Sequence, residues 1–219
     1  MKYPRTYHFS CSQEIFSDDK QLTSEIEESF LNKTLIMTEK MDGGNSCLDK
    51  AKVFARTHEV ETFHPSFSKL KALYNEIYYT VDFNFDRYML FGENMQAIHS
   101  IVYDKLDSPF YLFAIFDKKE KKWCSWEQIQ FMNIKLKLKI VHVIATRSFK
   151  TLKELRDWVN IEMKKKSHYG DIREGIVFRD PASFKENEFS EKVAKVVRRG
   201  HIQSDDHWSK NWKEQKIIT

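Results

Sequence analysis

Lys40 stands directly before a glycine turn. The stretch TEKMDGGNS at residues 38–46 places this lysine at the end of an apolar, β-branched segment and follows it with turn residues. A lysine held at a strand end can act as a covalent nucleophile if burial or a nearby cation deprotonates its amine. The glycines would let a phosphate approach the backbone. A surface lysine before a β-turn gives the same short pattern, so this stretch alone does not decide between the two interpretations.

Two carboxylates and a second lysine lie beside or within other predicted strands. Glu93 follows an apolar run in FGEN, Glu174 precedes one in REGIV, and Lys195 interrupts the β-branched run VAKVV. Taken singly, each carboxylate fits a solvated strand-end charge, and the lysine fits a side chain that snorkels to water. These three residues and Lys40 are the candidates for chemistry in this chain.

Short strands and amphipathic helices would position these candidates. Apolar spacing predicts helices at residues 21–30, 66–79, 126–133 and 152–163, and strands at residues 34–40, 88–92, 110–117, 135–143, 176–179 and 193–197. The strand predicted at residues 135–143 (KLKLKIVHV) alternates with period two, which is typical of one wet face. Such short strands can be buried only in one or two packed antiparallel sheets flanked by helices, so the sequence predicts a mixed α+β fold.

Length and composition favour one globular domain over residues 1–219. The chain is 41% hydrophobic and 14% aromatic with a mean hydropathy of −0.59, and no apolar run approaches the roughly 20 residues that span a bilayer, so no membrane partner is expected. Three scattered cysteines without metal-ligand spacing, and an N-terminus without an apolar signal core, predict a reducing, cytoplasmic location. The net charge of +4 permits a polyanionic partner without requiring one.

In their order along the chain, the candidate residues resemble the motifs of the covalent nucleotidyltransferases, which include ATP-dependent DNA and RNA ligases and messenger-RNA capping enzymes. Lys40-Met41-Asp42-Gly43 matches the nucleophile motif, and later motifs match at residues 91–93, 110–116, 174–177 and at Lys195. The extension to Asn45 resembles the phage-type RNA ligases, which allows a phage-type origin. Residues 3–6, 18–19, 64–66, 99–104 and 200–208 also resemble a group of small RNA-ligase-like proteins, so the resemblance covers nearly the whole chain.

The resemblance implies a nucleotidyltransferase core, the ATP-grasp-like ligase adenylation fold of antiparallel sheets flanked by helices. It also implies that Lys40 attacks the α-phosphorus of ATP to form lysyl-AMP. Glu174 would hold a divalent metal, Mg²⁺ or Mn²⁺, and Lys195 would contact the α-phosphate. The implied nucleotide-binding residues are Glu93 at the ribose, Phe113 on the adenine, Val177 or Ile176 on the opposite purine face, Arg56 at the ribose and phosphate, and Glu39 mainly through its backbone.

Departures from the family pattern leave some assignments open. Phe116 competes with Phe113 as the adenine-stacking ring, because Ala114 follows Phe113 where the family usually has Asp. Gly44 stands where related small ligases often have Glu. Only 24 residues follow Lys195, too few for a further domain of about 50 residues, so we expect no separate C-terminal oligonucleotide-binding or helical domain.

Many ligases carry a second lysine in the last motif, and here its task is either dispensed with or supplied by Arg198 or Arg199. These two arginines are also the candidates for holding the RNA 5′-phosphate end, and Asn45 is assigned to RNA from the phage-type motif. Trp208 and Trp212 fit either base stacking or core closure. The cationic segments at residues 118–122, 135–139 and 164–166 fit either phosphate contacts or a solvated basic surface.

The histidines predict no metal site, because His201 and His207 lack the further ligands that complete a coordination shell.

The resemblance as a whole leads us to expect a monomeric ATP-dependent RNA ligase that joins RNA 3′-OH and 5′-phosphate ends through lysyl-AMP. A GTP-using guanylyltransferase and a nucleic-acid-binding module with a relic site stay open as alternatives. The intact set of Lys40, Glu93, Glu174 and Lys195 argues against a relic.

Overall fold

The computed structural model describes residues 1–17, 19–56, 60–200 and 212–218, and folds them into two large sheets with helices packed against them. In chain order the strands are β1 (Tyr7–His8), β2 (Leu35–Lys40), β3 (Gly44–Asp49), β4 (Lys52–Ala55), β5 (Tyr88–Asn94), β6 (Ala97–Ile98), β7 (Phe110–Asp117), β8 (Lys122–Trp123), β9 (Lys139–Ile140), β10 (Val143–Arg147), β11 (Gly175–Arg179), β12 (Phe184–Lys185), β13 (Val193–Val197) and β14 (Lys213–Glu214). The α-helices are α1 (Ser24–Ser29), α2 (Ser68–Thr80), α3 (Trp126–Leu136), α4 (Leu152–Glu162) and α5 (Phe189–Lys192), with short 3₁₀ helices at Pro65–Phe67 and Glu186–Glu188. The mixed helix and sheet content that the sequence predicts is confirmed.

The first sheet has the strand order β1-β13-β11-β2-β10 and contains the nucleophile strand near its centre. Its pairings are antiparallel except for β1, which runs parallel to β13. Side chains alternate along β2: Leu35 and Met37 pack into the core that α1 and α4 cover, whereas Thr38 and Lys40 face the other way. The face of this sheet that turns away from α1 and α4 can therefore carry a site.

The second sheet has the order β12-β8-β7-β5-β3-β4, with β9 parallel to β7 at its side. β3 starts at Gly44, directly after the turn that follows Lys40, and lies next to β5 so that Asn45 pairs with Glu93. The buried residues of α2, Leu70, Tyr74 and Ile77, follow the predicted apolar stripe and pack against this sheet. The turn thus passes the chain from the first sheet to the second beside the nucleophile.

The strand predicted for residues 135–143 is largely wrong. α3 continues to Leu136 and ends at Lys137, which adopts a left-handed conformation with φ of 52°. The Asn133 side chain then bonds both backbone groups of Leu138, at 3.1 Å and 2.7 Å, and this fixes the turn. Within residues 135–143, only Lys139–Ile140 and Val143, which begins β10, lie in strands. The helix wins over the alternating pattern because its last turn buries Leu136 in the core.

Within the described ranges, no helix combines the length and the apolar character needed to cross a membrane. Cys11, Cys47 and Cys124 all carry free thiols.

Candidate active site

A cavity of about 720 Å³ opens between the two large sheets and the N-terminal segment. Most of the site residues predicted from the sequence line it. They are Glu39, Lys40, Asn45, Arg56, Glu93, Phe113, Val177 and Lys195. Glu174 reaches the cavity through its contact with Lys40.

Lys40 and Glu174 form the central ion pair, with Lys40 Nζ 2.5 Å from Glu174 Oε1. Burial raises the pKa of Glu174 to about 7 and the pKa of Glu93 to about 8. Burial alone would lower the pKa of Lys40, but the carboxylates of Glu174, Glu93 and Asp42 together raise it. In the site without nucleotide, these carboxylates therefore favour the ammonium form of Lys40, and the condition for nucleophilic attack, a deprotonated amine, needs a change in this charge balance.

Glu174 Oε2 is buried and has no hydrogen-bond partner among the described residues. A buried carboxylate oxygen without a partner is costly, so it fits a cation or a water molecule. No cluster of three or more His, Cys, Asp or Glu side chains in the described ranges could hold a metal by itself. The buried Glu174 oxygen fits one contact to a divalent cation, and Mg²⁺ in proteins commonly keeps phosphate oxygens and water in its coordination shell.

Asp42 holds the nucleophile turn in place, a role that the sequence analysis missed. Its Oδ2 accepts hydrogen bonds from the backbone N–H and the hydroxyl of Ser100 and from the N–H of Ile101, each at 2.7 Å. The N–H of Asp42 in turn donates to the Tyr103 hydroxyl at 3.0 Å. The motif marks Asp42, but its partners lie some sixty residues away and no local pattern reveals them.

Gly43 is required by close packing. A Cβ at this position would lie 2.6 Å from the Asn94 carbonyl oxygen and 2.6 Å from Met95 Sδ. Any larger residue would push the turn away from β5 and change the position of Lys40. At Gly44 a Cβ would make only ordinary van der Waals contact, with His99 Nε2 3.8 Å away.

The Glu39 side chain points away from Lys40, as strand alternation requires. Its carboxylate accepts hydrogen bonds from the Ser167 hydroxyl and from the His168 N–H at 3.0 Å, and lies 3.8 Å from Arg173 Nε. Its side chain is therefore occupied, which leaves its backbone as the part available to a nucleotide, as the resemblance implies.

Lys195 pairs across the sheet with Val177, and its Nζ lies 3.4 Å from Asp19 Oδ1. The same Asp19 oxygen lies 3.2 Å from Nε2 of the buried His8. Burial, together with repulsion from Lys40, lowers the pKa of Lys195. The N-terminal segment thus supplies the counter-ion for this lysine, a role that no single motif indicated.

Phe113 lines the cavity, whereas the competing Phe116 packs against Trp123 with ring centroids 5.0 Å apart. Val177 likewise faces the cavity, and its neighbour Ile176 belongs to the core beneath α4. The geometry favours Phe113 and Val177 as the two walls for a purine. Tyr3 adds a ring that the sequence analysis left without a role, 5.1 Å from the ring of Phe113.

Arg198 and Arg199 lie outside the cavity lining. The N–H of Arg198 donates to the Glu174 carbonyl at 3.0 Å, and the exposed Arg199 donates its N–H to Gln13 Oε1 at 3.3 Å. Arg198 therefore adjoins the site through the Glu174 backbone, whereas Arg199 is held by the N-terminal segment. Trp212 lies with its ring 6.1 Å from that of His64 at the cavity wall. Trp208, His201 and His207 fall outside the described residues.

Comparisons with known proteins identify the family and a shared fold. The family model described as RNA ligase matches residues 33–197. Among solved structures, a Naegleria gruberi RNA ligase with PPi has a TM-score of 0.62 and 18% identity, over 92% of this chain and 59% of that one. A lysine mutant of that ligase with ATP and Mn has a TM-score of 0.59 and 17% identity, over 93% and 62%. An archaeal ATP-dependent RNA ligase has a TM-score of 0.57 and 16% identity, over 90% and 48%.

These structures establish a shared fold, and the chain spans about half to three fifths of their length. A search of curated protein sequences finds no significant match. The family match runs from just before the nucleophile strand to the end of β13, and so contains Lys40, Glu93, Glu174 and Lys195. The chain belongs to the RNA ligase family.

Proposed function

We propose that this chain is an ATP-dependent RNA ligase with a nucleotidyltransferase core, which joins RNA 3′-OH and 5′-phosphate ends through lysyl-AMP. The observation that carries the proposal is Lys40 Nζ, held 2.5 Å from Glu174 at a cavity that Glu93 and Lys195 also line. Membership of the RNA ligase family supports it. The ATP and Mn bound by a structural neighbour support the choice of nucleotide and of a divalent cation. The proposal includes a single adenylation domain over residues 1–219.

The first step is attack of Lys40 on the α-phosphorus of ATP. The amine must first lose its proton, and the negative charge of Glu174 opposes this. Any cation that pairs with the Glu174 carboxylate therefore lowers the pKa of Lys40. A nitrogen–phosphorus bond then forms, the bond from the α-phosphorus to the bridging oxygen breaks, and pyrophosphate leaves. Lys195, on the same sheet face, would offset charge on the α-phosphate.

A divalent cation, when bound, neutralises phosphate charge in such transfers. Glu174 is the residue of this chain that would hold it, because its Oε2 is buried without a partner among the described residues. Glu93 accepts a hydrogen bond from the Gly43 N–H, and it would contact the ribose.

In the later steps, an oxygen of the RNA 5′-phosphate attacks the phosphorus of lysyl-AMP, and Lys40 leaves as an amine that regains a proton. The adenylylated RNA end is then attacked by a 3′-OH at the RNA phosphorus, and AMP leaves. Arg199 is exposed and follows the residue that bonds the Glu174 backbone, and we assign to it the contact with the incoming 5′-phosphate.

Labelling tests the first step. The protein is incubated with α-³²P-ATP and Mg²⁺, denatured and analysed on a gel. We expect a label that survives denaturation in the wild type and is lost in Lys40→Ala. Lys192→Ala is the matched control, because this lysine flanks β13 but pairs with Asp180 outside the cavity lining, and it should keep the label. Equal labelling of Lys40→Ala would overturn the assignment of the nucleophile.

The substrate is tested separately. Competition between unlabelled ATP and GTP for the label distinguishes a ligase from a guanylyltransferase, since only the latter should prefer GTP. A panel of single-stranded and nicked RNA and DNA ends, each with a 5′-phosphate and a 3′-OH, then tests sealing. We expect joined RNA. Salt-sensitive RNA binding without any label would instead indicate a binding module.

A further inference from the structure

The carboxylate of Asp19 is fixed by the N-terminal segment and does not depend on Lys195 for its position. Its Oδ2 accepts a hydrogen bond from the Phe16 N–H at 3.2 Å, and the Asp19 N–H donates to the Phe16 carbonyl at 3.0 Å. Its Oδ1 lies 3.2 Å from Nε2 of His8. Two contacts with the Phe16 backbone and one with a histidine ring therefore hold this carboxylate in place.

His8 ties the same carboxylate to the first sheet. It is fully buried, and it pairs with Lys195 where β1 runs beside β13. Its backbone N–H and carbonyl are bonded to the segment at residues 20–22, at 2.8 Å and 2.9 Å. Its Nδ1 lies 2.9 Å from the hydroxyl of Ser12. The ring that contacts Asp19 is thus held in the sheet beside the strand that carries Lys195.

The backbone alone does not fix the ammonium of Lys195, because a lysine head group is a point charge on a flexible four-carbon stem. Lys195 pairs with Val177, which pairs with Thr38 on β2. Its side chain therefore points to the same cavity face as that of Lys40, two residues along β2. The side chain is 19% exposed, and its Nζ lies 3.4 Å from Asp19 Oδ1. A fixed acceptor at this distance limits where the ammonium can lie.

The charges that face Lys195 oppose one another. Burial and repulsion from Lys40 lower the pKa of Lys195, whereas the carboxylates of Asp19 and Glu174 raise it. Glu174 is paired with Lys40 at 2.5 Å, and Lys195 forms its own ion pair with Asp19. Asp19 is therefore the carboxylate that both contacts this amine and favours its charged form.

We propose that Asp19 is a positioning residue for adenylation, which holds the ammonium of Lys195 at the cavity wall where the α-phosphate binds. The inference rests on the proposed function, which assigns Lys195 to the α-phosphate. In this assignment Asp19 acts only through Lys195, by fixing the position of the ammonium and by keeping the amine protonated. A neutral or displaced amine would offset less of the charge on the phosphate.

Equilibrium binding of AMP and adenosine tests the assignment without any chemical step. The ratio of the adenosine Kd to the AMP Kd measures what the phosphate contributes, and calorimetry follows this ratio from about pH 7 to about pH 10. The ratio should fall as Lys195 loses its proton. In Asp19→Asn the fall should occur about one pH unit lower, because loss of an opposite charge at this distance lowers the pKa of Lys195. Asp19→Glu keeps the charge and should stay closer to the wild type.

A double-mutant cycle shows whether Asp19 acts through Lys195. Asp19→Asn should change the ratio in the wild type and leave it unchanged in Lys195→Ala, since residues that act as a unit are not additive. The fall with pH that remains in Lys195→Ala reports the other charges of the site. Asp180→Asn is the matched control, because Asp180 pairs with Lys192 at 2.9 Å outside the cavity lining, and it should bind both ligands as the wild type does.

A purely structural role of Asp19 predicts a different result. If the carboxylate only anchors the N-terminal segment, Asp19→Asn weakens the binding of AMP and adenosine equally at every pH. It then does so in Lys195→Ala as well, which overturns the inference. An AMP affinity that increases in Asp19→Asn at every pH would show that Asp19 competes with the phosphate for Lys195, and this too overturns the inference.

The proposed function and this inference can fail separately. Covalent labelling of the wild type, with the same pH dependence of the ratio in Asp19→Asn, overturns the inference and leaves the ligase proposal standing. The expected ratios without any label do the reverse. A wild type that binds AMP and adenosine with the same Kd at every pH overturns the inference as well.

Discussion

The charge of Lys40 is set by its nearest carboxylate. Glu174 lies 2.5 Å from the amine and raises its pKa, so the nucleophile is stored in a protonated, unreactive form. The motif predicts which lysine is at the site, but its protonation state depends on residues 93 and 174, which only folding brings to it. The sequence therefore proposes a nucleophile, whereas the pKa of that lysine depends on the folded site.

Glu174→Gln should slow the labelling of Lys40 by at least about 100-fold, because it removes the carboxylate that would hold the divalent cation, which neutralises charge at the transferring phosphate. The residual labelling rate should rise with pH as Lys40 loses its proton. In Glu174→Gln this rise should occur at lower pH than in the wild type, since loss of the Glu174 charge lowers the pKa of Lys40. Labelling rates measured across pH check both effects. Glu174→Asp, which keeps the charge, should retain a limb near that of the wild type. A limb that moves upward in Glu174→Gln would contradict the electrostatic account.

Glu93 makes stability depend on pH in a stated direction. Burial raises its pKa from 4.5 to about 8, so folding favours the protonated acid. Its contribution to stability is complete below pH 4.5 and is lost as the pH rises through 8. We expect the Tm of Glu93→Gln, which stays neutral, to increase relative to that of the wild type from about pH 5 to about pH 9. Differential scanning calorimetry at several pH values measures this. A constant difference in Tm would show that Glu93 is not the titrating group.

At the level of elements, the buried strands were the easiest to predict. β2, β5, β7, β11 and β13 are mainly apolar, and the sequence predicts a strand at each of them. The hairpin of β3 and β4 was missed, because GNSCLD and KVFA carry little pattern of their own and β3 is held by pairing with β5. The pairing of β1 with β13 joins residues 7 and 194, which no local signal connects.

Asp42 joins the nucleophile turn to the segment that begins at Ser100, and its removal should weaken this connection. Asp42→Ala leaves two backbone N–H groups without their charged acceptor, which should cost about 2–3 kcal/mol in the free energy of unfolding. Ser100→Ala removes only the hydroxyl and should cost about 1 kcal/mol. Urea unfolding of both variants measures the two losses in the free energy of unfolding and shows which is larger. A Ser100→Ala variant as unstable as Asp42→Ala would mean that the backbone donors carry little of the energy.

Across the whole molecule, the cavity is assembled from distant parts of the chain. The N-terminal segment contributes Tyr3 and Asp19 to the site. The first sheet contributes Lys40 and Lys195, and the second sheet contributes Glu93. Order along the sequence identifies the members of this site because each stands in a recognisable motif. It does not identify the role of Asp19, which depends on the contact of its carboxylate with Lys195 at 3.4 Å. Such a contact between distant residues is visible only in the folded chain.

RNA binding should depend on salt, and AMP labelling should not. The net charge of +4 is modest, so each phosphate contact matters, and Arg199 is exposed beside the site. Arg199→Ala should weaken RNA binding at every sequence, reduce the slope of log K against log salt by about 1, and leave the labelling of Lys40 unchanged. Fluorescence anisotropy of a 5′-phosphorylated RNA at several salt concentrations measures the slope. Arg147→Ala, whose side chain pairs with Glu154, should keep the wild-type slope. An unchanged slope in Arg199→Ala would mean that Arg199 does not contact the 5′-phosphate, because the loss of a phosphate contact reduces the number of counterions released on binding.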